Sequence, residues 1–172
     1  MCIRDSLLAV VRVGPGRQCA EGLHRGVPSA SGAWRETRCP QEWDAVDIRL
    51  SSGLTVEVKS AAYHQSWAQR KESPIAFSIA PALGWDSTTG ENLLKSIRPA
   101  QVYVFCLLGH HERETLDPLN VSQWTFYVLA TRVLDEKASG QKTINLASLL
   151  RLNPEAADYA GLKAAVARAA AL

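Results

Sequence analysis

The sequence predicts an α/β domain with a mixed central β-sheet flanked by helices, and three observations lead to this class. A short alternating hairpin lies early in the chain, two long apolar runs lie in its second half, and an alanine-rich stretch with helical spacing ends it. The composition agrees, because 47% of the 172 residues are hydrophobic and 21% are charged. We therefore expect one domain with a sizeable core.

The hairpin extends from Trp43 to Ser60 and turns at Ser51-Ser52-Gly53. A three-residue turn that ends in Gly between two alternating runs is typical of a β-hairpin. Placing Leu50 opposite Leu54 fixes the register by counting outward, which gives one apolar face and one charged face. The apolar face pairs Ile48 with Val56 and Val46 with Val58, and the charged face pairs Arg49 with Thr55, Asp47 with Glu57, and Ala45 with Lys59.

The charged face of this hairpin suits a divalent cation. Like charges that face each other across a sheet are destabilising, so Asp47 opposite Glu57 needs a positive group nearby. Lys59 supplies part of that charge, and magnesium would supply more, since it prefers one or two carboxylates with water and phosphate oxygens. Strict alternation assigns Asp47 to this face, whereas a β-bulge would bring Asp44 there instead, so both assignments stay open.

These residues carry a resemblance to a known superfamily. Asp47 followed by Glu57-Val58-Lys59 on the adjacent strand resembles the PD-(D/E)XK nucleases, which have the restriction-endonuclease-like fold. The longer run that ends at Trp67, Glu-Val-Lys-Ser-Ala-Ala-Tyr-His-Gln-Ser-Trp, resembles a group of uncharacterised bacterial proteins of that superfamily. The similarity extends from about Glu42 to about Leu152.

The resemblance implies both a fold and an activity. The fold would be a restriction-endonuclease-like core, and the activity would be hydrolysis of DNA phosphodiester bonds with Mg²⁺ or Mn²⁺. It implies that Asp47 and Glu57 bind the metal and that Gln65 lies near the metal or the phosphate. Lys59 would orient the attacking water or stabilise the charge that develops on phosphate.

Two alternatives to an active nuclease stay open. An acid followed two residues later by Lys is common on strands, so the charged face can be a solvated surface without chemistry. The fold can also serve as an inactive DNA-binding or scaffolding module, because the superfamily would be expected to begin with a helix that carries an acid near the site. Residues 1–40 show no clear helix of this kind. We treat them as a poorly defined segment, artefactual or truncated, before a nuclease-like domain at 41–172.

In the rest of the chain, the apolar patterns and the positions of Pro and Gly predict further strands and helices. We expect strands at Ile75–Ala80, Gln101–Leu108 and Val121–Ala130, a loop at Gly84–Gly90, a short helix at Glu91–Ile97, a helix at Thr131–Lys137, strand or helix at Thr143–Leu150, and a terminal helix at Glu155–Leu172.

The cysteines, the net charge and the hydropathy indicate where the protein is located and which partners it can have. The four cysteines, which are Cys2, Cys19, Cys39 and Cys106, have no zinc-binding spacing and require no disulfide, so we expect a cytoplasmic protein. No apolar run approaches the roughly 18 residues of a membrane span. A net charge of +2 is compatible with DNA as a partner. We expect DNA and no membrane as partners, and a homodimer stays open.

Overall fold

The computed structural model describes residues 45–65, 67–86 and 91–172. The N-terminal segment at 1–40 and the alternative site residue Asp44 lie outside these ranges. The described elements are β1 (Ile48–Arg49), β2 (Thr55–Ala62), β3 (Ala76–Ser78), β4 (Ala82–Asp86), β5 (Glu91–Ile97), β6 (Val102–Leu108), β7 (Trp124–Ala130), α1 (Thr131–Lys137), β8 (Thr143–Asn145), α2 (Leu146–Leu150), β9 (Glu155–Ala157) and α3 (Leu162–Ala170).

A five-stranded sheet in the order β1-β2-β6-β7-β9 organises the domain. Strands β2 and β6 are parallel, and the other neighbours in this sheet are antiparallel. Every residue of β6 is buried, as expected for a central strand whose residues are all apolar. The predicted α/β class with a mixed central sheet is therefore confirmed.

Both faces of the sheet are covered, so two apolar cores form. The first core packs α3 against the face that carries Val56, Val104 and Phe126. The second core packs α1, β3, β8 and α2 against the face that carries Phe105 and Leu129. Alternation along each strand sends neighbouring residues to opposite cores, which explains why β6 has no polar position.

The helices arise where the sequence favours them. Helix α1 has the predicted bounds, and the stretch predicted as strand or helix contains both, namely β8 followed by α2. In α3, Leu162, Val166 and Ala169 are buried on one stripe, as their spacing predicts. Among the described residues, no helix is long and apolar enough to cross a bilayer.

The terminal helix begins later than predicted, and the prediction for its first residues was wrong. Glu155–Ala157 is a strand that pairs with Phe126, Tyr127 and Val128 at the edge of the sheet. Ala and Glu favour helices in isolation, but the backbone groups of β7 gain partners when this segment extends alongside them. A turn follows, in which Asp158 Oδ1 accepts a hydrogen bond of 2.7 Å from Gly161 N, and α3 starts after it.

Between β2 and β6 the predicted helix was wrong, and the predicted strand and loop agree with the structure only in part; residues 87–90 of the predicted loop lie outside the described ranges. Glu91–Ile97 is strand β5 rather than a helix, and it pairs antiparallel with β4, which includes part of the loop predicted at Gly84–Gly90. Cross-strand pairing outweighs the helix-like spacing of the apolar residues in this short segment. The strand predicted at Ile75–Ala80 is shorter, and it pairs with β8 in a separate ribbon outside the main sheet.

Candidate functional site

The hairpin that carries the candidate site has the predicted register at its turn. Ile48 pairs with Val56 and Arg49 pairs with Thr55. Gly53 has a φ of 85°, a conformation that glycine adopts without strain, and this explains its place at the end of the turn. The register matters for the site, because it places residue 47 beside the segment of β2 that contains Glu57.

The ladder ends at Ile48, and Asp47 turns its side chain toward β2. Its Oδ2 accepts a hydrogen bond of 2.8 Å from Val58 N, the amide of the peptide bond that joins Glu57 to Val58. The prediction that Val46 lies on the same face as Ile48 was wrong, because Val46 packs in the second core and Ile48 in the first. Regular alternation is lost at Asp47, whose carboxylate takes over a hydrogen bond to the neighbouring strand.

Glu57 and Lys59 lie on one face of β2, two residues apart, and their charged groups are in contact. Lys59 Nζ donates to Glu57 Oε1 in an ion pair. The side chains are only 16% exposed for Glu57 and 23% exposed for Lys59. These charges therefore do not form the solvated outer face that was the simplest alternative for the hairpin.

Tyr103 of β6 adds a residue to this site that the sequence reasoning missed. It pairs in register with Glu57 and is buried. Burial raises the pKa of Tyr103 to about 12, with a further contribution from the negative charge of Glu57. Its position depends on the parallel pairing of β2 with β6, and a sequence pattern contains no signal for the register of two distant strands.

Gln65, the fourth predicted site residue, lies beyond the other end of β2. Its Nε2 donates a hydrogen bond of 3.1 Å to Ala62 O, and its backbone N donates to Gln69 Oε1 at 2.6 Å. Glu57 and Ala62 are five residues apart on an extended strand, roughly 16 Å at the usual rise per residue. The structure thus brings Asp47, Glu57 and Lys59 together and places Gln65 at the opposite end of the strand.

The histidine pair that follows β6 fixes a neighbouring loop. His111 Nδ1 lies 2.7 Å from Glu72 Oε1, and its ring stacks on Tyr63 with a centroid separation of 4.3 Å. His64 Nε2 lies 2.6 Å from the carbonyl oxygen of His111, and His110 contacts Thr115. These contacts hold the segment after β2 against the segment after β6, so the histidines have a structural role here.

The donor set on the hairpin suits a hard cation. Asp47 and Glu57 offer carboxylate oxygens, and a magnesium site needs only one or two of these because water and phosphate complete its coordination. Within the described ranges, no group of three or more His, Cys, Asp or Glu residues could hold a metal ion. A fully protein-ligated zinc site is therefore not found in these ranges, and Asp47, just before β1, and Glu57 of β2 could supply only the one or two carboxylates that Mg²⁺ or Mn²⁺ takes from a protein.

Comparison with models of protein families, with curated proteins and with solved structures found no match for this chain.

Proposed function

We propose that this chain is a metal-dependent nuclease with a restriction-endonuclease-like core, which hydrolyses DNA phosphodiester bonds in the cytoplasm. The observation that carries the proposal is the arrangement on β2. Glu57 and Lys59 are in contact and mostly buried. The Asp47 carboxylate accepts a hydrogen bond from the backbone amide of Val58, which lies between them on β2. These are three of the four residues that the resemblance assigns to the site, and the fourth, Gln65, lies beyond the other end of β2.

The burial of these charges supports a functional reason for them. Removing two opposite charges from water has a cost that their attraction only partly offsets, and apolar replacements for such pairs are often neutral or stabilising. The fold alone therefore does not require an ion pair at this position of β2. Burial and the negative charge of Glu57 also raise the pKa of Tyr103, and ionisable groups whose pKa is shifted in this way are more frequent at functional sites than elsewhere.

The chain's own residues would divide the work as follows. Asp47 and Glu57 would hold the metal, which when bound supplies polarisation of the phosphate and a lower pKa for its water. Lys59 places a positive charge beside them, where an ammonium group donates hydrogen bonds to a phosphate oxygen or to the attacking water. Tyr103 stays protonated at neutral pH because its pKa is about 12, so it adds no negative charge to a site that must accept a phosphate.

The proposal is tested with purified protein, Mg²⁺ or Mn²⁺, and supercoiled, linear duplex and single-stranded DNA. We expect wild-type protein to cleave at least one of these forms. Glu57→Gln and Asp47→Asn should each lower the cleavage rate by at least about 100-fold, since loss of one electrostatic contact in a site typically has this effect. Calorimetric titration with Mn²⁺ should show that both variants bind the metal more weakly.

Glu155→Gln is the matched control. Glu155 also pairs with a basic side chain, Arg168 of α3, but it lies on β9, the edge strand at the opposite side of the sheet from the hairpin. This variant should cleave DNA at the wild-type rate. The proposal fails if no DNA form is cleaved with either metal and Glu57→Gln leaves metal binding unchanged. DNA binding without cleavage, retained in Lys59→Ala, would instead identify the inactive module as the function.

A further inference from the structure

We infer that Lys59 competes with the divalent cation for Glu57, so that metal binding and the release of the Lys59 ammonium group are coupled. This inference rests on the proposed function, and it adds a form of control to the same site. It starts from one contact, in which Lys59 Nζ donates to Oε1 of the carboxylate that would hold the metal.

The geometry of β2 makes this contact local and persistent. Residues 57 and 59 project from the same face of a strand, so the two side chains are neighbours whenever β2 is extended. On the adjacent strand, Tyr103 and Phe105 lie in register with them. Both of these aromatic residues are buried, which reduces the water available to screen the two charges.

A metal ion and the ammonium group cannot occupy the same side of one carboxylate oxygen. The ammonium is a compact charge on a flexible four-carbon stem, so it can leave Glu57 without a change in the backbone. Before the metal arrives it supplies the positive charge that Glu57 requires in a mostly buried position. With a metal on Glu57, the carboxylate would no longer need this charge, and the Lys59 ammonium would be free to donate to a phosphate oxygen.

The consequence is that each state of Lys59 has a different task. In the metal-free protein, its ammonium neutralises Glu57 and is withheld from a phosphate. In the metal-bound protein, the ammonium is available to the scissile phosphate, so the cation that binds Glu57 also frees the group that assists catalysis. Affinity for the metal is lower than two carboxylates would give alone, because the ammonium has to be displaced.

The test is a calorimetric titration with Mn²⁺ of the full chain, in wild type and in Lys59→Met. Methionine keeps an unbranched stem of similar length and removes the charge. We expect Lys59→Met to bind Mn²⁺ at least about fivefold more tightly, since a unit charge in contact with the site is removed. Lys59→Gln is a second neutral variant should the first fail to fold, and Lys59→Arg, which keeps a cation, should bind as wild type does.

Arg49→Met is the matched control for a general effect of charge. Arg49 is an exposed cation of the same hairpin, and its removal should change the Mn²⁺ affinity by less than about twofold because solvent screens it. Equal or weaker binding by Lys59→Met, with binding by wild type intact, would overturn the inference alone. No binding by wild type or by any Lys59 variant would overturn the metal site of the proposed function as well.

Discussion

Two glutamates of the central sheet are each paired with a basic side chain, and their surroundings differ. Glu57 in β2 contacts Lys59, and both side chains are at least three-quarters buried. Glu155 in β9 contacts Arg168 of α3 at the far edge of the sheet, where the side chains are 37% and 62% exposed. The exposed pair is a typical surface contact, whereas the buried pair lies where folding gains little from charge. A similar pairing can therefore belong to a candidate site in one region and to ordinary surface structure in the other.

The largest loss of stability is expected at a third ion pair, Arg98 with Asp135, in which the buried charge has a structural role. The Arg98 side chain is 1% exposed, and it pairs with Asp135 while donating to the backbone oxygens of Ile79 and Ala138. Arg98→Met should lower the free energy of unfolding by about 3–5 kcal/mol, because several buried acceptors lose their donor at once. Urea denaturation measures this change, and a loss below 1 kcal/mol would contradict the assigned role.

A smaller loss of stability is expected for Glu57→Gln, since its site is less deeply buried. The substitution leaves the Lys59 ammonium without the carboxylate it contacts, and we expect a cost of about 1–3 kcal/mol in urea denaturation. Combining Glu57→Gln with Lys59→Met should recover part of this loss, because the unmatched charge is then gone. A double variant that is no more stable than Glu57→Gln alone would contradict this explanation, because the loss would then not come from the unmatched Lys59 charge.

The smallest loss of stability is expected for the exposed pair, Glu155 with Arg168. The hydrogen bonds that the Glu155 carboxylate accepts from Arg168 lower the pKa of this carboxyl from its ordinary value. A lowered pKa in the folded state means that the contribution of this pair is present above the ordinary value and is lost as the pH falls through the lower one. A carboxyl titration by NMR should show that Arg168→Gln returns the pKa of Glu155 to the ordinary range, and the urea midpoint at pH 7 should fall by less than in either buried-pair variant, because solvent screens the exposed pair.

The candidate site could be predicted from the sequence where local rules decide the structure. The glycine of the turn fixes the register of β1 with β2, and alternation then places Glu57 and Lys59 on one face. The fully apolar β6 and the stripe of α3 are equally local signals. The position of Tyr103 beside Glu57 depends on strand pairing between distant segments, which local patterns do not encode.

Other details depended on competition between local and tertiary effects. Asp47 leaves the regular pleat because its carboxylate accepts the hydrogen bond from Val58 N, so the alternation rule fails for Val46. Glu155–Ala157 leaves the predicted helix because β7 offers a sheet edge. In both cases the deciding partner lies elsewhere in the fold, and the sequence of the segment itself favours the other outcome.

The parallel pairing of β2 with β6 also has a consequence for how the site is assembled. The hairpin of β1 and β2 can close locally, on the microsecond timescale of hairpins. Its stable partner β6 arrives only after a long connection, since the linked positions Thr55 and Gln101 are 46 residues apart. Non-local contacts of this kind have to overcome loop-closure entropy first, which slows folding. During synthesis, the hairpin that contains Glu57 can therefore close early, but Glu57 acquires its buried surroundings only once β6 has been made.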